Sequence, residues 1–234
     1  MFKYRYLLVI VPHRGVNEGK SRLSTVLEPA ARAKLNRWLL ARTLRVVRAW
    51  LGDAQRCVVV SPCEVTLALA RKAGAIALRE QASTRGLNAA LSQAAAHAAS
   101  LGAQRLLILP CDLPLLDVEA LEAMEMLPVI SKEVVIAADR HFKGTNALLV
   151  DVSVRKFAFG KDSHARHIAQ GEARGVRSFP CLNAALAFDL DTPEDLAEWR
   201  NSGDAPQAFL ATLQQTTNLL ATDFTDKRRK PLKN

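Results

Sequence analysis

The chain has 234 residues, 49% of them hydrophobic and 24% charged, with a formal net charge of +9 at pH 7. That balance belongs to an ordinary globular protein long enough to bury a core without disulfides or a structural metal, and one α/β domain of this length is common. A membrane-spanning helix is excluded, since no stretch approaches the ~20 apolar residues that a span requires.

Along the chain, apolar runs alternate with helical patterns. Tyr6 to Val11 reads as a buried strand ending at Pro12, and Glu28 to Trp50 carries apolar residues close to helical spacing. Arg56 to Ser61 reads as a strand, Glu64 to Ala73 as a helix, and Ala75 to Leu78 as a short strand after Gly74. Leu87 to Leu101 is an alanine-rich helical pattern stopped by Gly102, followed by a buried strand from Arg105 to Pro110. Asp117 is the expected N-cap of a helix running to Met126. Glu133 to Ala138 and Asn146 to Val150 read as strands, and Asp162 to Arg174 as a helix. Leu186 to Asp189 reads as a short strand before a helix from Pro193 to Arg200. This rhythm predicts a single Rossmann-like α/β domain over residues 1–200, with a mostly parallel sheet and helices on both faces. Residues 201–234 read as a C-terminal extension: a candidate helix from Ala208 to Ala221, then a disordered basic tail.

The remaining composition narrows the partners. Cys57, Cys63, Cys111 and Cys181 show no close metal-type pairing and read as buried free thiols of a reducing cytosol. The run Leu7 to Val11 is too short for a signal peptide, so the expected compartment is the cytoplasm. The basic excess lies in the helix around Arg32 to Arg48 and in Lys227-Arg228-Arg229-Lys230. It forms no aromatic-interleaved stripe, so a solvated helix face and a disordered tail account for most of it, and nucleic acid is not the expected partner. His164 and His167 fall on one helix face and read as a surface pair; no histidine has trustworthy metal-ligand spacing, and none is assigned as a general base.

Mostly parallel sheets bind ligands outside the carboxyl ends of their strands, so polar residues just after buried strands are the candidates. The first such segment is Pro12-His13-Arg14-Gly15-Val16-Asn17-Glu18-Gly19-Lys20-Ser21-Arg22. Its glycines let backbone N–H groups approach phosphate, and Arg14, Lys20 and Arg22 can neutralise it. It is not a P-loop, because Gly15 and Gly19 enclose three residues and not four. A charged surface loop would read the same way. The second segment is Leu109-Pro110-Cys111-Asp112-Leu113-Pro114, where a strand delivers one carboxylate between prolines. Asp112 is placed either to hold a hard divalent cation or to cap a turn. The third is Asp189-Leu190-Asp191. Alternate side chains of an extended chain share a side, and two like charges held together are relieved by a cation. Thr192 then reads as an N-cap, Pro193 as the first helical residue, and Glu194 and Asp195 as capping residues.

These segments resemble the guanylyltransferases of coenzyme F420 biosynthesis, often named 2-phospho-L-lactate guanylyltransferase, in the nucleotidyltransferase superfamily that includes the molybdenum-cofactor guanylyltransferases. The resemblance runs from about Val9 to Leu196. It is carried in order by Lys20-Ser21-Arg22-Leu23, Gly86-Leu87-Asn88-Ala89-Ala90-Leu91, Leu109 to Pro114, Gly144-Thr145-Asn146-Ala147-Leu148-Leu149, Phe159-Gly160 with Ser163 and His167, and Asp189 to Leu196. It implies that Asp112, Asp189 and Asp191 hold Mg2+ or Mn2+, with Lys20 and Asp112 catalytic. It implies that Pro12, Arg14, Lys20, Arg22, Leu87 and Asn88 bind the nucleotide, and that Thr145, Gly160 and Ser163 bind the acid substrate. The chain departs from the family in three places: Pro12-His13-Arg14 stands where Pro-x-Lys is usual, Lys143-Gly144 where paired glycine is usual, and the tail beyond Arg200 is longer than the motifs require.

The implied reaction is attack of an acceptor phosphate oxygen on the α-phosphorus of GTP, with pyrophosphate leaving. The implied acceptors are 2-phospholactate, phosphoenolpyruvate and 3-phosphoglycerate. The alternatives are a related nucleotidyltransferase with another nucleotide or acceptor, or a nucleotide-binding protein without turnover.

Overall fold

The computed structural model describes residues 6–81, 86–126, 133–207, 209–211 and 213. The basic cluster at 227–230, and most of the candidate helix at 208–221, lie outside the described residues. The chain runs β1 (Leu7–Pro12), α1 (Pro29–Leu51), β2 (Cys57–Ser61), α2 (Glu64–Lys72), β3 (Ile76–Arg79), α3 (Leu87–Ser100), β4 (Arg105–Ile108), α4 (Val118–Met126), β5 (Val134–Ala138), β6 (Thr145–Asp151), α5 (Ser163–Glu172), β7 (Ser178–Pro180), α6 (Ala184–Ala187) and α7 (Pro193–Asn201). Among the described residues the strands form one seven-stranded sheet in the order β3-β2-β1-β4-β6-β5-β7.

β1 pairs in parallel with β2 and with β4, so the strand order reverses between them. β6 runs antiparallel to both β4 and β5. The turn at 139–144 that joins β5 to β6 is too short for a parallel crossover, which needs a dozen or more residues. Asp139 organises that turn. Its carboxylate accepts from the N–H groups of His141, Lys143 and Gly144. A Cβ on Gly144 would stand 2.7 Å from Asp139 Oδ2, so a larger residue there would push the carboxylate out of this arrangement.

β1 shows why the sheet is covered on both faces. Leu7, Val9 and Val11 pack with Leu40, Leu44 and Met124 on one side, and Leu8 and Ile10 with Ala90, Leu91 and Ala94 on the other. Alternate residues of a strand face opposite ways, so a fully apolar strand belongs at the centre of a three-layer sandwich. Each large side chain buried this way contributes about 1.5–3 kcal/mol. The alanines of α3 let that helix lie close to the sheet.

A third cluster serves the site directly. Leu23, Leu35, Leu39, Phe188, Leu190, Leu196 and Trp199 pack together, and Ala205, Leu210 and Leu213 join them. It seats the 188–196 segment against α1 and against the 3-10 turn Ser21–Thr25. Leu190 is wholly buried, which turns its neighbours Asp189 and Asp191 away from the core.

Four expectations need correction. Leu186 to Asp189 is not a strand: α6 covers Ala184–Ala187, capped by Asn183, whose Oδ1 accepts from the N–H groups of Ala185 and Leu186. β7, a short strand at the sheet edge, was not anticipated. His167 is no surface residue but is 3% exposed. Cys111 and Cys63 are only partly buried, although all four thiols are free. The cap readings agree with the structure for Asp117, which accepts from Ala120 N–H, and for Thr192 and Asp195, which form a reciprocal capping box.

Candidate active site

The site opens at the carboxyl ends of β1 and β4, where the strand order reverses. The loop after β1 is pinned from behind: Asn36 of α1 donates to the carbonyls of Val16 and Glu18 at 3.2 and 2.8 Å. Gly19 and Lys20 then take left-handed backbone, φ 81 and 51. This tight reversal delivers the Lys20 side chain inward, where it is 8% exposed.

There it meets carboxylates from two distant stretches of chain. Lys20 Nζ lies 2.8 Å from Asp191 Oδ1 and 3.7 Å from Asp112 Oδ2. Asp112 lies four residues past the end of β4, and its carbonyl accepts from Leu190 N–H at 2.9 Å, which stitches the second acidic segment to the first. Asn146, second residue of β6, donates to the carbonyl of Leu186 at 3.0 Å and reaches Asp189 Oδ1 at 3.4 Å. Asp195 accepts from Asp191 N–H at 2.8 Å and is itself held by Arg140, which lies over the Phe188 ring.

The electrostatics follow from two carboxylates, Asp112 and Asp191, facing one ammonium, with Asp189 close enough to feel both acids. Burial alone would lower the Lys20 pKa, but Asp112 and Asp191 outweigh it and raise it. Burial raises Asp112; Lys20 opposes that and Asp191 adds to it. Asp189 is pushed up to about 6 by burial, then by Asp112 and Asp191. Ionisation is therefore most disfavoured at Asp112 and Asp189, where burial and a neighbouring carboxylate act together. Among the described residues, no three His, Cys, Asp or Glu side chains are already gathered round one point as a metal cage. The donor set is nevertheless all oxygen, which is what a hard divalent cation takes together with substrate phosphates.

A cleft of about 430 Å³ adjoins this cluster, lined by Pro12, Arg14, Pro110 and Leu87 and also by His13, Glu18 and Glu80. His13 is held down to about 4 by burial and then by Lys20, so the imidazole is neutral, and its Nδ1 lies 3.2 Å from Thr66 Oγ1. Burial raises Glu80, against Arg14 and with help from Glu18. Neither His13 nor Glu80 was singled out from the sequence; their places, one residue past β1 and one past β3, are the signal that the strand-end rule offers.

The predicted residues separate into groups. Lys20, Asp112, Asp189 and Asp191 come together; Pro12, Arg14 and Leu87 line the cleft. Arg22 is exposed on the turn after Lys20 and is not part of the cleft lining. Asn88 is not part of the cleft lining; its amide exchanges two hydrogen bonds with the Phe159 backbone, at 2.8 and 3.0 Å. It so ties the start of α3 to the loop that carries Gly160. Thr145 and Ser163 are buried, and the carbonyl of Lys143 accepts from His164 N–H at 3.1 Å, which brings the start of α5 against the turn before Thr145. Gly160 has φ 114, a conformation side-chain-bearing residues rarely take.

Comparison with known proteins decides the family. Residues 7–223 match the family model described as guanylyl transferase CofC like. The chain belongs to that guanylyltransferase family. It is 38% identical over 198 residues to the phosphoenolpyruvate guanylyltransferase of Rubrobacter xylanophilus, covering 84% of this chain and 95% of the relative. It is 36% identical over 192 residues to the 3-phospho-D-glycerate guanylyltransferase of Phenylobacterium zucineum, covering 81% and 87%. It is 31% identical over 199 residues to the 2-phospho-L-lactate guanylyltransferase of Methanothermobacter thermautotrophicus, covering 85% and 86%. A solved nucleotidyl transferase from Methanothermobacter shares the fold at TM-score 0.60 and 15% identity, covering 88% of this chain and 98% of that one. A cytidylyltransferase from Leptospira borgpetersenii does so at TM-score 0.55 and 12% identity, covering 99% and 100%. The family member described here is thus a nucleotidyltransferase with a seven-stranded α/β fold. Among its described residues no helix is long and apolar enough to cross a membrane.

Proposed function

We propose that this enzyme transfers GMP from GTP to the phosphate of a small phosphorylated carboxylic acid and releases pyrophosphate. Phosphoenolpyruvate is the first candidate, followed by 3-phosphoglycerate and 2-phospholactate, each the substrate in the name of a relative that covers most of this chain. The observation that carries the reading is the meeting of Lys20, Asp112, Asp189 and Asp191 at the strand-order reversal, beside the cleft lined by Pro12, Arg14 and Leu87.

The chemistry asks little beyond alignment and charge. The attacking phosphate oxygen is already anionic, so no general base is needed, in keeping with the neutral His13. The cleft beside Pro12, Arg14 and Leu87 receives the nucleotide, with Arg14 and Lys20 facing its phosphates. Thr145, Gly160 and Ser163 receive the acid. Asp112, Asp189 and Asp191 would hold magnesium or manganese, which when bound offsets the charge that builds at the α-phosphate. Lys20 orients the carboxylates and adds its own positive charge near the leaving pyrophosphate. A reaction that consumes GTP, and four free thiols, suit the cytoplasm.

The test is pyrophosphate release from GTP with magnesium and each acid in turn, with wild type and Asp112→Asn. Release with one acid, lost in D112N, supports the reading and names the acceptor. Undiminished release from D112N would remove Asp112 from the metal site.

A further inference from the structure

Thr145 and His167 face each other inside the protein, 6% and 3% exposed, with Oγ1 and Nδ1 3.0 Å apart. Which of the two donates is decided on the far side of the ring. Ala158 N–H donates to His167 Nε2 at 3.1 Å. A backbone N–H can only donate, so Nε2 is bare, and a neutral ring then carries its one proton on Nδ1. The ring is neutral at ordinary pH, since burial, with Arg166 and His164 nearby, holds it down to about 4. Nδ1–H therefore donates to Thr145 Oγ1. The hydroxyl accepts at that side, and its own proton must point elsewhere.

The surroundings hold this arrangement still. The Phe159 ring stands edge-on to the imidazole, centroids 4.8 Å apart, and fixes its plane. The Phe159 backbone is in turn clamped at both polar atoms by Asn88. Thr145 opens β6, and its hydroxyl meets His167 of α5, the helix that Ser163 begins.

We propose that His167 is a positioning residue: it fixes the Thr145 hydroxyl as a hydrogen-bond donor toward the anionic acceptor substrate, which it never touches itself. A hydroxyl that accepts from an N–H is polarised into a better donor, and one already oriented loses less freedom when the acid arrives. The proposal rests on the guanylyltransferase reading of the site.

The experiment compares His167→Asn with His167→Gln in the full chain, measuring KM for the acid and for GTP separately. Asn places its amide N–H near the Nδ1 position and gives up Ala158. Gln places its carbonyl near Nε2, still accepts from Ala158, and gives up the donation to Thr145. H167Q is expected to raise the acid KM about tenfold with the GTP KM unmoved, while H167N stays within about threefold of wild type. In a Thr145→Val background H167Q should add nothing further, because the two residues act through one hydroxyl. Equal losses in both variants, a GTP KM that moves with the acid KM, or additive effects with T145V would overturn the proposal. The imidazole nitrogen resonances of histidine-labelled protein read the tautomer without any turnover. Protonated Nδ1 with bare Nε2 supports the arrangement even if the wrong acceptor is being assayed; protonated Nε2 overturns it. Silence with every acid alongside the expected tautomer would count against the function and leave the hydrogen-bond assignment standing.

Discussion

Asp189 sets stability against catalysis, and substituting Asn for it separates the two. Burial and the charges of Asp112 and Asp191 raise its folded pKa to about 6, against roughly 4 in an unfolded chain. Above pH 6 both states have lost the proton, and the folded state carries the whole penalty of the crowded charge. Below about pH 4 both are protonated and the penalty is gone. Two pKa units correspond to about 3 kcal/mol at pH 7.5; the carboxyl is only half-buried, so screening brings the expected value to about 1–2 kcal/mol. Asp189→Asn removes the charge but keeps the shape and the oxygen that accepts from Asn146.

D189N should therefore be more stable than wild type at pH 7.5, with Tm higher by about 2–8 °C. The difference should fade as pH falls from about 6 to 4, and comparing the two proteins at each pH cancels other titrations. Pyrophosphate release should drop about 100-fold or more, since an interaction with developing charge is lost. Magnesium should stabilise wild type more than D189N at pH 7.5. Thermal melts and turnover on the same preparations give both readouts. A variant that melts below wild type at pH 7.5, or whose gain persists unchanged at pH 4.5, would refute the account of crowded carboxylates.

Other outcomes follow from the same geometry. Lys20→Met leaves Asp112 and Asp191 without their ammonium; kcat should fall about 100-fold, and the acid limb of the pH–rate profile should move up, as Asp112 loses the charge that opposes its burial. Gly160→Ala meets open space but a φ of 114; it should cost about 1–3 kcal/mol in denaturant melts and raise the acid KM with the GTP KM unchanged. His167 is held at about 4, below its unfolded value, so its contribution is full above pH 6.5 and drains as pH falls toward 4. Wild type should lose about 3 kcal/mol across that window from this residue alone, and H167Q should show a flatter decline in urea melts at successive pH values.

How far the sequence could be read depended on whether the information was local. β1, β2 and β4 were legible because a strand buried on both faces must be apolar throughout, and Leu7 to Val11 is. The box at Thr192-Pro193-Glu194-Asp195 was legible because both partners of each bond lie three residues apart. Leu186 to Asp189 failed because a short apolar run does not distinguish strand from helix; the discriminating residue was Asn183, a capping side chain just upstream. Lys20 shows the limit most clearly. From its loop it reads as a phosphate ligand, and nothing near it indicates that its nearest acid lies 171 residues away. What brings them together is the third hydrophobic cluster, in which Leu23, three residues after Lys20, and Leu190, one before Asp191, are both wholly buried. The charged residues were visible in the sequence; their pairing is set by neighbouring leucines that carry no chemistry. His167 repeats the point: its spacing from His164 suggests a surface pair, whereas its role depends on Ala158 N–H, a group every residue but proline possesses and no motif can mark. Side chains that do chemistry are therefore recoverable from type and strand-end position, and those that aim them are recoverable only once packing has fixed which backbone groups they meet.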